Sequence, residues 1–185
     1  MKLKERLNIG CGVNPEERSI NLDMYKLKGV DVVHNLNDYP YPFKDNTFKE
    51  VFADNVLEHL DDLNKVLNEL SRICKNGAIL DIIVPLAPTM FAFRDPTHKL
   101  FFTYRTFEYF TEEETALNHY TESRFKILSR KINLHNKLVF LNGLVNLAPK
   151  FVTEFFSQLL PPSHLIVKLK VIKKKEQQEK EQEDE

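Results

Sequence analysis

The chain has 185 residues, 42% of them hydrophobic, and a formal net charge of −1. That length fits one domain, or one domain and a tail, with enough apolar material for its own core. The near-zero charge leaves no electrostatic footprint for a nucleic-acid partner, and the two cysteines, Cys11 and Cys74, make neither a disulfide framework nor a zinc site, so no metal is expected.

The N-terminus, Met1-Lys2-Leu3-Lys4-Glu5-Arg6, is charged with no apolar stretch behind it, unlike a secretory signal. No apolar run reaches the length of a membrane span, so the expected location is the cytoplasm. Leu7-Asn8-Ile9 is short and ends at Gly10, which predicts a buried strand entering a glycine turn. Ser19 to Asp23 predicts a second strand and Gly29 to His34, β-branched, a third. The prolines of Tyr39-Pro40-Tyr41-Pro42-Phe43 forbid helix and predict a loop. Lys49 to Ala53 predicts a fourth strand.

The period then changes. Leu63, Val66, Leu67, Leu70, Ile73 and Cys74 fall at helical spacing, with Asp61 as expected N-cap and Asn76-Gly77 as expected C-cap. Ile79 to Val84 is nearly all apolar, as in a central strand covered on both faces, although Asp81 interrupts it. Phe91 to Phe110 is aromatic and irregular, with a short helix expected within Thr103 to Phe110. Arg124 to Leu134 and His164 to Ile172 predict two late strands able to pair as an antiparallel edge. Between them, residues 138–160 are apolar and read as a helical cover on the sheet. A dimer contact or a membrane-surface face flanked by Lys137, Lys150 and Lys168 are the alternatives. Residues 174–185 predict a charged, solvated tail, which leaves residues 1–173 as the domain. Strands joined by crossovers imply an α/β sheet with helices on its faces.

Four features carry chemistry. Gly10-Cys11-Gly12 after a strand lets backbone approach a ligand without Cβ interference. The third glycine of the dinucleotide fingerprint is missing, with Asn14 and Pro15 in its place, so a nucleoside without phosphates fits better than pyrophosphate. Asp23, at the next strand's end, can accept both hydroxyls of a ribose, or can be an ordinary strand-end Asp. His59, in Asp54-Asn55-Val56-Leu57-Glu58-His59-Leu60, lies after the fourth strand, where ligands of open α/β sheets bind; it is a candidate base or a backbone cap. Arg94-Asp95-Pro96-Thr97-His98 follows the fifth strand and holds an acid, a base and a cation together, though Asp95 before Pro96 also suits a plain turn.

Taken together these segments resemble a known family. Leu7 to Gly12 followed by Ile20-Asn21-Leu22-Asp23 resembles the first two motifs of class I S-adenosylmethionine-dependent methyltransferases. Tyr39 to Phe48, Val56 to Leu60, Leu70 to Gly77 and Ile82 to Pro85 are similar to the type 11 methyltransferase domain. Asp95 to His98 followed by Phe101-Phe102-Thr103 is like a segment of a compact subgroup of it. The resemblance runs over residues 5–173. It implies a Rossmann-like three-layer sandwich, with a mostly parallel seven-stranded sheet and an antiparallel last strand, that binds S-adenosyl-L-methionine. By that likeness Gly10, Cys11 and Gly12 border the methionine part, Asp23 holds the ribose, Asn35 and Leu36 border the adenine, and Asn55 lies beside the methionine end.

Ten residues between Gly12 and Asp23 shorten the first crossover helix to about a turn, and Asn35 stands where the family often has Asp. The Asn/Asp-Pro-Pro-aromatic motif of amino-directed nucleic-acid methyltransferases is absent. The expected activity is O-directed methyl transfer to a small molecule or glycan, with His98 as base, Asp95 as its orienter or substitute and His59 as third candidate. The competing readings are a non-catalytic cofactor-binding or interaction protein of the same fold, and a nicotinamide-dependent oxidoreductase, which Asn14 and the short crossover disfavour.

Overall fold

The computed structural model describes residues 4–111, 123–157, 159 and 162–173. Seven strands form one sheet in the order β3-β2-β1-β4-β5-β7-β6. They are β1 (Arg6–Ile9), β2 (Ile20–Asp23), β3 (Val32–Val33), β4 (Phe48–Asp54), β5 (Cys74–Pro85), β6 (Arg124–Leu134) and β7 (Pro162–Ile172). The first five pair in parallel, and β7 runs antiparallel between β5 and β6. This is the Rossmann-like α/β sheet with an antiparallel last strand that the sequence predicts. Leu7, Ile9, Leu22, Leu80, Ile82, Val84, Leu165, Val167 and Leu169 are all buried in it. Asp81, which interrupts the apolar run of β5, sits opposite Lys168 in the β5–β7 register, and the two pair at 2.9 Å. A carboxylate is thereby accommodated in the strand as a cross-strand ion pair.

The predicted long helix is present as α1 (Leu63–Ile73), burying Val66, Leu67, Leu70 and Ile73. Its ends differ from the prediction. The N-cap is Asp62, whose carboxylate accepts from the Asn64 and Lys65 amides at 2.9 and 3.2 Å. Asp61 pairs instead with Lys99 at 2.6 Å. Asn76-Gly77 is not a C-cap: the chain turns extended at Cys74 and enters β5 directly. The register jumps from Phe48↔Cys74 to Glu50↔Ile79, and Gly77, at φ +79°, lies within the extra residues of that bulge. Arg72, in the last turn, pairs with Glu69 and Asp45 and donates to the carbonyls of Tyr41 and Phe43, clamping the proline-rich loop onto the helix.

The first crossover contains no helical turn at all, only tight turns closed by Asn14 N–H to the Cys11 carbonyl and Ser19 N–H to the Glu16 carbonyl. Two buried amides replace the missing helix. Asn8 in β1 donates to Asn21 Oδ1 in β2 at 3.1 Å, and Asn21 takes the Glu16 N–H and donates to the Glu16 carbonyl. The predicted third strand shrinks to Val32–Val33, and Asp31 before it accepts the Asn21 amide on its carboxylate.

Beyond β5, a short helix α2 (Met90–Phe93) precedes the Arg94–His98 loop, and Thr106–Phe110 forms a 3₁₀ turn within the predicted range. Phe102 and Phe107 stack at 5.6 Å in the core. The apolar segment folds as a 3₁₀ turn (Asn136–Leu141), α3 (Asn142–Val145) and α4 (Pro149–Phe155). Val145 and Val152 reach the core, but Phe140, Leu144, Leu147, Phe151, Phe155 and Leu159 face outward, so the segment covers the sheet only in part. Leu160 and residues 174–185 lie outside the described residues. No helix among the described residues is long and apolar enough to cross a membrane.

Candidate active site

The sheet order reverses between β1 and β4, and the ends of β1, β2, β4 and β5 open on one edge, where a doubly wound sheet has its crevice. Gly10 and Gly12 follow β1 at φ +61° and +51°. A Cβ on Gly10 would lie 2.3 Å from Val56 Cγ2, whereas one on Gly12 would meet no protein atom within 4 Å. Gly10 is thus pressed against the loop after β4, while Gly12 borders open space. Asp23, nearly buried at the end of β2, accepts the Gly12 amide on Oδ2 at 2.8 Å and the Tyr25 amide on Oδ1 at 2.9 Å. Each oxygen keeps a further lone pair for a ligand hydroxyl. Burial, and secondarily Asp23, push the Cys11 thiol above its ordinary range, so it stays a neutral wall of the turn.

Asn35 and Leu36 follow β3, on the outer side of Asp23. Asn35 Oδ1 accepts the Asn37 amide, and the Leu36 side chain is core, its carbonyl taking the Tyr41 hydroxyl at 3.0 Å. Asn55 sits past β4 at φ +50°, donating its side-chain amide to Asp54 and its backbone N–H to Ile83.

The loops after β4 and β5 enclose a cavity of about 170 Å³, whose lining includes Asn55, Glu58, His59, Arg94, Asp95 and His98. The His59 and His98 rings meet edge to face at 4.9 Å. His98 Nδ1 lies 2.8 Å from the Ala92 carbonyl, which only accepts, so that nitrogen carries a proton and, in the neutral ring, Nε2 holds the lone pair. Thr97 gives its hydroxyl proton to Asp95 at 2.7 Å and so accepts from His59 Nδ1 at 3.0 Å, which in the neutral ring places the His59 lone pair on Nε2 as well. The Thr97 hydroxyl and amide hold the Asp95 carboxyl below the usual range. Asp95 orients His59 through Thr97; its own approach to His98 Nε2 is 3.9 Å.

Glu58 is the residue the sequence reading leaves without a role. It is 1% exposed, and neither carboxylate oxygen has a hydrogen-bond partner among the described residues. Burial raises its carboxyl to about 7. One ligand atom each from Glu58, His59 and His98 lies within 4.8 Å of the others. Glu58 stands next to His59 in the chain, but His98 joins only through the fold, so nothing in the spacing announces the trio. His164, from the start of β7, completes the cavity wall beside Phe91, and burial lowers its imidazole.

The candidate residues therefore gather in two adjoining groups. Gly10, Cys11, Gly12 and Asp23 form one, and Asn55, His59, Asp95 and His98 form the other, joined where Val56 packs on Gly10.

Residues 3–82 match the family model described as a methyltransferase domain. An uncharacterized protein of Methanocaldococcus jannaschii is 38% identical over 91 residues, covering 42% of this chain and 39% of its own. A demethylmenaquinone methyltransferase of Bacillus mycoides is 32% identical over 83 residues, covering 45% of this chain and 34% of its own. The chain thus spans little more than a third of the length of these curated relatives. An S-adenosylmethionine-dependent methyltransferase of Mesorhizobium loti shares the fold at a TM-score of 0.57 and 12% identity, over 90% of both chains. A sequence match to a methyltransferase domain over residues 3–82 thus coincides with a fold that, across nine-tenths of the molecule, is similar to that of an S-adenosylmethionine-dependent methyltransferase.

Proposed function

We propose that this chain transfers the methyl group of S-adenosyl-L-methionine to an oxygen of a small molecule or glycan. The observation that carries the reading is the junction of the glycine turn with the imidazole-lined cavity through Val56. The open space at Gly12 and the two oxygens of Asp23 suit a nucleoside whose ribose is held bidentately. Asn35 and Leu36 border its adenine, and Asn55 borders the methionine end. The cofactor supplies an already activated methyl, so the protein's work is to position the acceptor and exclude water. An acceptor in the 170 Å³ cavity meets the lone pair of His98 Nε2, which takes the hydroxyl proton as the oxygen attacks. His59, held by Thr97 and Asp95, faces the same space from the other loop. The domain so defined spans residues 1–173, with 174–185 a charged extension.

Titration calorimetry with S-adenosylhomocysteine tests the donor half. Asp23→Ala removes two charge-assisted hydrogen bonds to the ribose and is expected to weaken binding about 100-fold; unchanged affinity in a folded variant sinks the ribose assignment. Incubation with methyl-labelled cofactor and a cell extract tests the transfer half. Label is expected to move to a small-molecule or glycan fraction, and failure with wild-type protein favours a non-catalytic cofactor binder. With a labelled acceptor found, His98→Ala is expected to slow transfer by about 100-fold or more; a rate within about twofold of wild type removes His98 as the base.

A further inference from the structure

We propose that Glu58, His59 and His98 together hold one divalent transition-metal ion, of which Zn²⁺ is the type. The donor set is two imidazoles and a carboxylate, a combination that zinc and iron(II) sites use while leaving further positions open. Three independent features point to a ligand here. The candidate ligand atoms already lie within 4.8 Å of one another, so contraction by about 1.4 Å brings them to the edge lengths, about 3.4 Å, of a tetrahedral site with bonds near 2.1 Å. Glu58 is almost fully buried with both oxygens unpartnered by any described residue, an arrangement that a coordinated cation would satisfy. Both imidazoles are preset: the Ala92 carbonyl fixes His98, and Thr97, backed by Asp95, fixes His59, each through Nδ1 and each leaving Nε2 as the donor. Outer contacts of this kind orient metal-binding histidines.

The trio adjoins the cavity of about 170 Å³, where Arg94 and His164 complete the polar lining. The ion's remaining positions would open on that space and take an oxygen-bearing ligand, lowering the pKa of a coordinated hydroxyl; with the Nε2 lone pair of His98 given to the ion, that lowering would stand in place of proton transfer to His98. That role rests on the methyltransferase reading; the binding of the ion does not, and the two fail separately.

The test uses the full chain without an affinity tag, stripped with chelator and then titrated with Co²⁺ and, separately, Zn²⁺. One equivalent of Co²⁺ is expected to bind with visible d–d absorption, and Zn²⁺ to displace it. The bands are expected to vanish in Glu58→Gln and in His98→Ala, with circular dichroism checking that each variant is folded. Thr97→Val, which removes only the outer contact, is expected to weaken the ion about tenfold or more, and Thr97→Ser to restore it. Should either ligand variant fail to fold, the Thr97 pair decides. Absence of bands in wild-type protein, or bands that persist in both ligand variants, overturns the site. Calorimetry with S-adenosylhomocysteine on the stripped protein reports the cofactor half independently.

Discussion

Gly10→Ala is expected to destabilise the protein by about 3 kcal/mol and to remove measurable cofactor binding. Two effects combine. An alanine at φ +61° carries about 1 kcal/mol of backbone strain that glycine does not. Its Cβ would also lie 2.3 Å from Val56 Cγ2 and 2.7 Å from Val56 Cβ, so the loop after β4 must move. That loop leads to Glu58 and His59, and the displacement is carried into the cavity. For a chain of this length the loss corresponds to a fall in Tm of about 6–12 °C, read by thermal unfolding. Gly12→Ala is the contrast. Its backbone is equally left-handed but its Cβ meets nothing, so only the strain, about 1 kcal/mol, is expected. Val56→Ala in the Gly10→Ala background is expected to recover part of the steric loss and none of the strain. A cycle with no coupling between positions 10 and 56 refutes the contact.

Glu58→Gln is expected to stabilise the metal-free protein at pH 8 by about 2–3 kcal/mol and to change little near pH 4.5. The Glu58 carboxyl holds its proton to about pH 7 in the folded chain, against 4.5 for the free side chain. Between those values the unfolded chain releases the proton and the folded chain does not, so stability falls as pH rises through the window and levels off above about 7. The rise corresponds to about 3 kcal/mol. Glutamine is neutral throughout and escapes it. The charged and titratable groups around the carboxylate are His59 on its own loop, Asp54 before it, Arg94, Asp95 and His98 on the loop after β5, and His164 on β7. Denaturant unfolding in chelator at the two pH values checks the expectation. A glutamine variant less stable than wild type at pH 8 would mean that the charged carboxylate is already satisfied by those neighbours. Saturating Zn²⁺ is expected to stabilise wild-type protein and leave the variant unmoved.

Much of this architecture is legible in the chain. Strands whose burial is dictated by continuous or alternating apolar residues, such as β1 and β7, fall close to where hydropathy puts them, whereas β5 contains the apolar run Ile79–Val84 but begins earlier, at Cys74. The boundaries that shift do so because a side chain finds a tertiary partner. Asp61 goes to Lys99 and yields the cap to Asp62, and Asp31, next to the shortened β3, turns its carboxylate to Asn21. The glycine turn and Asp23 are visible because strand ends and φ-permissive residues leave local signatures. Glu58 and His164 are not, since a buried glutamate and a strand histidine acquire meaning only from residues about forty or more positions away. The outward aromatics of α4 are invisible for the same reason: Phe151 and Phe155 have the spacing of a buried face, and the sheet offers them no surface.

The helix-free crossover between β1 and β2 has an electrostatic consequence. In a dinucleotide-binding fold the glycine turn feeds the first turn of a helix, whose unpaired amides and aligned dipole place roughly half a positive charge at the ligand. Here the turn feeds a loop held by the Asn8–Asn21 amides, and the carboxylates of Asp23 and, more weakly, Asp31 act on it. The crevice is thereby stripped of the field that attracts phosphate and tilted toward cations. A sulfonium, positive at the atom that gives up the methyl, is the ligand such a field welcomes, and the proposed transfer, by removing that charge, would leave a neutral thioether that the same field holds less tightly.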